Sequence, residues 1–267
     1  QRRHQKLVEE SPSPAVDPAT REALFDSARR VASGVDFHNA ATVEFLLDEQ
    51  RRHYFLEMNT RLQVEHGVTE LVTGLDLVAW QIRVASGEPI PEEMVDAPRH
   101  GHAIEVRLYA EDPYDAFRPT AGRITAWQMA AGPGVRVDAG VEADTDLRPE
   151  YDPLLAKLMV HAEDRSSAID RLRRALDETV VGGVQTDAGF LRWLVDDEAF
   201  GNGAYDTGLI EQRWGLDHRV GRDDAALAAR AALAARLAPD PARVRAPVTT
   251  DDGSAWGRVA RREARRQ

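Results

Sequence analysis

The sequence predicts an α/β (α+β) fold, and three observations carry that prediction. Apolar residues recur at helical spacing in some segments and alternate every second residue in others. Glycine and proline fall between those segments, where turns are needed. With 267 residues, 43% of them apolar, the chain is long enough to bury a sizeable core, as one large domain or two smaller ones.

Residues 1–10 are expected to be extended and to run into a Ser-Pro-Ser-Pro loop at 11–14. Asp17 fits an N-cap with Pro18 in the first helical position, Leu24, Ala28 and Val31 come next at helical spacing, and Gly34 ends the helix. Two strand-like runs, Thr42–Asp48 and Tyr54–Asn59, are joined by a charged stretch and predict a hairpin. A helix is expected over 70–86, with Leu71, Leu75, Val78, Ile82 and Ala85 on one face and Gly87 closing it. A proline-rich linker at 89–98 leads to strands at His102–Tyr109, Arg123–Trp127 and Val135–Asp138, with Gly122, Gly132 and Gly134 at turns. Leu155–Ala162 is a further strand, followed by a helix over 165–178, capped near Asp164 or Ser166, that turns Ile169, Leu172 and Leu176 inward. Another helix starts near Thr186 and carries Phe190, Leu191 and Leu194. Beyond residue 216 the chain becomes rich in Ala, Leu and Arg, as in a helical linker or the start of a further module.

Composition excludes several classes. The chain has no cysteine, which removes disulfides, thiolate metal sites and a cysteine nucleophile and fits a cytoplasmic location. A net charge of −11 argues against nucleic acid as a partner. No run approaches the about 20 apolar residues of a membrane span, and no apolar stretch of a secretory signal follows the first residues. The first residue is not Met, so the chain is expected to begin inside a longer protein. Of the 34 basic residues, two are lysines, Lys6 and Lys157. That scarcity fits the codon bias of a GC-rich genome, and such a bias makes each surviving lysine informative, since a compact ammonium and a planar guanidinium are not interchangeable.

The segment Glu57-Met58-Asn59-Thr60-Arg61-Leu62-Gln63-Val64-Glu65-His66 carries the chemistry. If it is extended, Glu57, Asn59, Arg61, Gln63 and Glu65 share one side, while Met58, Leu62 and Val64 face a core. In the hairpin, Glu44 can lie opposite Glu57 or Asn59. Two adjacent carboxylates repel unless a cation lies between them, and Glu44, Glu57 and Asn59 offer the hard oxygen ligands that Mg²⁺ takes beside nucleotide phosphates. Arg61 suits a small oxyanion, and Glu65 can take a proton from it. On the residues alone, a solvated face closed by salt bridges such as Glu57 with Arg61 stays open.

Four segments, in this order along the chain, resemble those of biotin carboxylases, members of the ATP-grasp superfamily: Gln1–Lys6, Glu57–His66, His102–Pro113 and Tyr151–Leu158. The resemblance covers about residues 1–216. It implies part of an ATP-grasp domain at 1–88, a biotin carboxylase carboxyl-terminal domain with antiparallel sheet and helices at 99–216, and a linker at 217–267. It implies that Gln1, His4, Glu44, Leu46, Leu56 and Glu57 contact ATP, and that Glu44, Glu57 and Asn59 hold Mg²⁺ or Mn²⁺. Lys6, Arg61, Gln63, Val64 and Glu65 would hold bicarbonate, Glu65 would deprotonate it, and Arg107 would stabilise the ureido oxygen of biotin. Lys157, Asp152 and His66 are assigned structural parts.

The resemblance also implies partners: a biotin carboxyl carrier module, a carboxyltransferase subunit, as in acetyl-, propionyl- or methylcrotonyl-CoA carboxylases, and a second copy in a homodimer. Residues 1–56 contain no glycine-rich phosphate loop, so the chain by itself is expected to bind ATP weakly or not at all and to show no bicarbonate-dependent ATP cleavage. Proline is expected at Gly67, and glycine there is expected to loosen the backbone behind Glu65. Two rival expectations are another ATP-grasp ligase, such as a carbamoyl-phosphate synthase, and a non-catalytic assembly module.

Overall fold

The computed structural model describes residue 1, residues 5–95 and residues 97–214. His4 and the linker expected at 217–267 lie outside the described residues.

The chain opens with β1 (Val8–Ser11) and α1 (Pro18–Gly34), whose N-cap Asp17 accepts from Thr20 N at 2.8 Å. The predicted hairpin comes next as β2 (Thr42–Leu47) and β3 (His53–Asn59), paired antiparallel with Glu44 directly opposite Glu57.

The second strand ends at Asn59, as expected, so the extended arrangement considered for 57–66 does not continue past it, and the chain turns into α2 (His66–Thr73). The helix expected over 70–86 is two helices, because Gly74 adopts φ 72°, a left-handed conformation that ends α2. Asp76 then caps α3 (Leu77–Ala85) through Ala79 N at 2.8 Å. That break rotates the second half of the apolar face away, and Ile82 is left 66% exposed. The expected linker holds a short helix, α4 (Glu92–Val95).

β4 (His102–Tyr109) is buried along its whole length. Four short strands succeed it: β5 (Glu111–Asp112), β6 (Arg118–Pro119), β7 (Gly122–Arg123) and β8 (Ala126–Gln128). The single strand expected at 123–127 is thus split in two. β7 pairs with β10 (Asp146–Leu147) and β8 with β12 (Val180–Gly182), while Ile124 between them is fully buried. β9 (Val135–Ala139) and β11 (Leu154–Ala162) complete the main strands. The helices α5 (Arg165–Glu178), α6 (Ala188–Asp196), α7 (Glu198–Gly201) and α8 (Leu209–Arg213) close the described chain. Asp164 caps α5 by accepting from Ser167 N at 2.7 Å, and Ile169, Leu172 and Leu176 are buried, as the spacing predicted.

Four strands form one antiparallel sheet in the order β1-β4-β11-β9, and its two faces differ in chemistry. Alternation sends Ile104, Val106, Leu108, Leu158 and Val160 to one side, where they join Leu172, Phe190 and Leu191 in the main core. The same alternation sends Glu9, Glu105, Arg107, Lys157, Met159, Arg136 and Asp138 to the other side, under α2 and the turn before it. The register lines them up: Glu9 opposite Glu105, Glu105 opposite Met159, Met159 opposite Arg136; and in the next row Arg107 opposite Lys157, Lys157 opposite Asp138. Glu10 faces the apolar side, where it accepts from His102 Nε2 at 2.6 Å, Arg165 Nε at 2.8 Å and the Tyr205 hydroxyl. These hydrogen bonds hold its carboxyl below the ordinary value despite its burial.

Gly67 does not loosen the chain. It is buried in α2, and a Cβ there would overlap the Met159 sulfur and come within 3.1 Å of Glu105 Oε2. Gly67→Ala should therefore destabilise the fold by roughly 1–3 kcal/mol. In a Met159→Ala background the same change should cost almost nothing. A double-mutant cycle on thermal or denaturant midpoints measures this, and additive effects would contradict it.

Candidate functional site

The charged face of the sheet meets the hairpin at Lys6, which lies just before β1. Its ammonium donates to Glu44 Oε1 at 2.7 Å and to Glu65 Oε1 at 2.5 Å. On the hairpin side, Asn59 Nδ2 donates to Glu44 Oε1 at 3.2 Å and Glu57 Oε1 at 2.7 Å. On the sheet side, Glu65 Oε2 accepts from Arg107 NH2 at 3.0 Å, and the same nitrogen lies 2.5 Å from Glu9 Oε1. A continuous chain of polar groups thus runs Glu57, Asn59, Glu44, Lys6, Glu65, Arg107, Glu9. Carboxylate and cation alternate along most of it, which lets several charges sit close together out of bulk water.

The structure therefore brings Glu44, Glu57, Asn59, Lys6, Glu65 and Arg107 together. The proximity of Glu65 does not come from a shared strand face, because the strand has ended; it comes from the turn that starts α2. Gln63 is buried and its Nε2 has no hydrogen-bond partner among the described residues. Val64 gives its carbonyl to Lys157 Nζ at 2.8 Å. Arg61 is exposed and donates to the neighbouring Leu62 carbonyl at 3.3 Å, so it stands outside the cluster and is not the partner of Glu57. Gln1 is engaged with the backbone: its Oε1 accepts from Leu7 N at 2.6 Å and Val8 N at 2.9 Å. Leu46 and Leu56 are 55% and 52% exposed on the hairpin. His66 Nδ1 lies 2.8 Å from the Gln63 carbonyl oxygen, a local bond across the turn.

Electrostatics divide the site in two. Burial alone would lower the Lys6 ammonium, but its hydrogen bonds to Glu44 and Glu65 carry it above its ordinary value. Burial alone would raise Glu65, but the Lys6 hydrogen bond, its own backbone N–H and the charge of Arg107 hold it low. Glu65 is thus a carboxylate at neutral pH. The paired carboxyls deeper in the sheet behave oppositely. Burial pushes Glu9 up to about 7, and burial together with the charge of Glu9 pushes Glu105 up to about 8. Glu105 is fully buried and neither carboxyl oxygen has a hydrogen-bond partner among the described residues. Sequence reasoning missed this pair, since nothing local reveals that residues 9 and 105 are cross-strand neighbours.

Among the described residues no group of three or more His, Cys, Asp or Glu side chains is arranged around one point. The two carboxylates of Glu44 and Glu57 with the Asn59 amide nevertheless supply the hard oxygen donors that Mg²⁺ accepts when phosphates complete its shell. Those residues fit such an ion.

A raised carboxyl stabilises the fold below its unfolded value, and that stability is lost as pH rises to the folded value. Between pH 4.5 and about 8, Glu105 should therefore cost the protein stability, on the order of a few kcal/mol in total. Glu105→Gln should flatten that part of the stability profile when denaturant midpoints are compared at intervals across the range. Parallel profiles for the two proteins would show that Glu105 is not held protonated.

Comparison with known proteins adds the family. Residues 105–212 match the family model described as the biotin carboxylase C-terminal domain, and residues 1–93 match the carbamoyl-phosphate synthase L chain, ATP binding domain. The chain is 49% identical over 210 residues to biotin carboxylase 2, chloroplastic, of Populus trichocarpa, covering 79% of this chain and 40% of that one. It is 45% identical over 215 residues to the mitochondrial methylcrotonoyl-CoA carboxylase subunit alpha of Rattus norvegicus, covering 79% of this chain and 30% of that one. The biotin carboxylase domain dimer of Hydrogenobacter thermophilus 2-oxoglutarate carboxylase, solved with MgADP, ADP and bicarbonate, superposes with a TM-score of 0.78 at 40% identity, covering 81% of this chain and 48% of that one. The chain thus spans half or less of the length of the relatives it matches, and within that span it belongs to the biotin carboxylase family.

Proposed function

We propose that this chain is the carboxyl-terminal half of a biotin carboxylase, the component that uses ATP and bicarbonate to carboxylate biotin. The observation that carries the reading is Glu65 held as a carboxylate between Lys6 and Arg107, beside a carboxylate pair suited to a metal ion. Residues 1–88 would belong to the ATP-grasp domain, 99–216 to the carboxyl-terminal domain and 217–267 to a linker.

Glu44, Glu57 and Asn59 would hold Mg²⁺ or Mn²⁺, which when bound neutralises phosphate charge. Gln1, His4, Leu46 and Leu56 would border the nucleotide; the exposed leucines of the hairpin fit a surface that a flat base covers. Lys6, Arg61, Gln63 and the Val64 backbone would hold bicarbonate, and the unpartnered Gln63 amide supports an acceptor there. Glu65 takes the bicarbonate proton, so that the oxygen attacks the γ-phosphate and carboxyphosphate and ADP form. Carboxyphosphate would then split into CO₂ and phosphate, the phosphate would take the ureido N–H proton of biotin, and the ureido nitrogen would attack CO₂ while Arg107 stabilises the enolate oxygen. The partners of such an enzyme are a biotin carboxyl carrier module, a carboxyltransferase and a second copy of itself, in the cytoplasm. No helix among the described residues is long and apolar enough to cross a membrane.

In the full-length polypeptide containing this chain, Glu65→Gln should lower bicarbonate-dependent ATP cleavage with free biotin by about 10²-fold or more. Unchanged turnover would remove Glu65 as the base. Cleavage that depends on bicarbonate but is indifferent to biotin would favour a carbamoyl-phosphate synthase type of ligase.

A further inference from the structure

The chain has two lysines among its 34 basic residues, and both contact the same two-residue segment. Lys6 binds the Glu65 carboxylate, and Lys157 donates to the carbonyl of Val64 at 2.8 Å. Lys157 is a β11 residue that stands in register between Arg107 and Asp138, with its side chain 11% exposed. Its ammonium also lies 3.3 Å from Asp138 Oδ2. Asp138 is in turn gripped by Arg136, through Nε at 2.9 Å and NH2 at 2.8 Å. Arg136 NH1 donates to Glu70 Oε2 at 2.6 Å, and the other oxygen of Glu70 accepts from Leu77 N at 2.7 Å. The carbonyl of Val64 is thus anchored to the middle of the sheet by a lysine whose own position is fixed on the neighbouring strand.

Peptide geometry turns that anchor into a statement about the site. In a planar trans peptide the carbonyl of one residue and the N–H of the next point in opposite directions. With the Val64 carbonyl held down on the sheet, the Glu65 N–H is aimed away from it. That N–H serves the Glu65 carboxylate itself, the group on which Lys6 and Arg107 converge. A single ammonium fits this position because it must serve one carbonyl oxygen and one carboxylate in a confined space, where a planar fork would need more room.

We infer that Lys157 is a positioning residue of the oxyanion site: by holding the Val64 carbonyl it fixes the Val64–Glu65 peptide and so sets the Glu65 carboxylate between Lys6 and Arg107. The inference rests on the function proposed above. It assigns Lys157 no contact with substrate, and it assigns Asp138 and Arg136 the task of holding the ammonium in place.

The test uses the full-length polypeptide containing this chain and compares wild type with Lys157→Met. The KM for bicarbonate should rise on the order of tenfold or more, the effect of losing a hydrogen bond from a charged donor. The KM for ATP should stay within about twofold, because the nucleotide residues are not touched by this anchor. An unchanged bicarbonate KM overturns the inference, and so does an equal rise in both KM values, which would mark a general structural defect. Should the methionine variant fail to fold, Lys157→Arg decides by the same comparison: a selective rise for bicarbonate supports the inference and a parallel rise overturns it. A wild type without bicarbonate-dependent ATP cleavage would remove the functional reading and this inference together, whereas an active wild type with an indifferent Lys157 removes the inference alone.

Discussion

The Lys6 ammonium sits where three separately built parts of the molecule meet. It belongs to the segment entering β1, and so to the four-stranded sheet, yet it donates to Glu44 on the hairpin and to Glu65 at the start of α2. Two carboxylates share one cation, and each has a further partner that holds it in place: Asn59 on one side and Arg107 on the other. For Glu65 that compensation outweighs burial and holds the carboxyl below its ordinary value. The hairpin, the turn at 60–65 and the sheet are thereby placed so that a metal-suited carboxylate pair and an anion-suited cation pair adjoin.

The two faces of the sheet explain how a small domain tolerates so many charges. One face is apolar and packs on α5 and α6, with Phe190 and Leu172 fully buried. That face supplies the burial that stabilises the domain, at roughly 1.5–3 kcal/mol for each large side chain. The other face is then available for a charged grid covered by α2. Within that grid Glu9 keeps Arg107 at 2.5 Å, whereas Glu105 has no hydrogen-bond partner among the described residues and burial favours its protonated form. Met159 and Gly67 fill the remaining space beside Glu105, which is why a glycine at that point tightens the contact between α2 and the sheet.

Local signals made much of this legible in the sequence. The Asp17 and Asp164 caps, the hairpin that sets Glu44 against Glu57, and the buried face of α5 are all set by spacing within a few residues. The failures also have physical causes. A continuous apolar pattern over 70–86 hid the left-handed Gly74 that divides it. Alternation through residue 65 predicted one strand face, whereas the chain leaves the strand at Asn59 and reaches the same carboxylate by a turn. Glu9, Glu105 and the anchor at Lys157 depend on pairings between residues roughly 50 to 100 positions apart, which no local pattern records. Arg61, expected among the anion ligands, is exposed and donates to the Leu62 carbonyl, because the strand that was to carry it has already ended.

The central claim is that Lys6 and Glu65 serve one oxyanion site, with Arg107 on the far side of Glu65. The measurement that addresses it most directly is the bicarbonate KM of the full-length polypeptide containing this chain after Lys6→Gln. A rise of about tenfold or more, with the fold intact by thermal midpoint, is the result this account predicts. A bicarbonate KM equal to that of the wild type would contradict it, because the cation that joins Glu44 to Glu65 would then have no part in holding the anion.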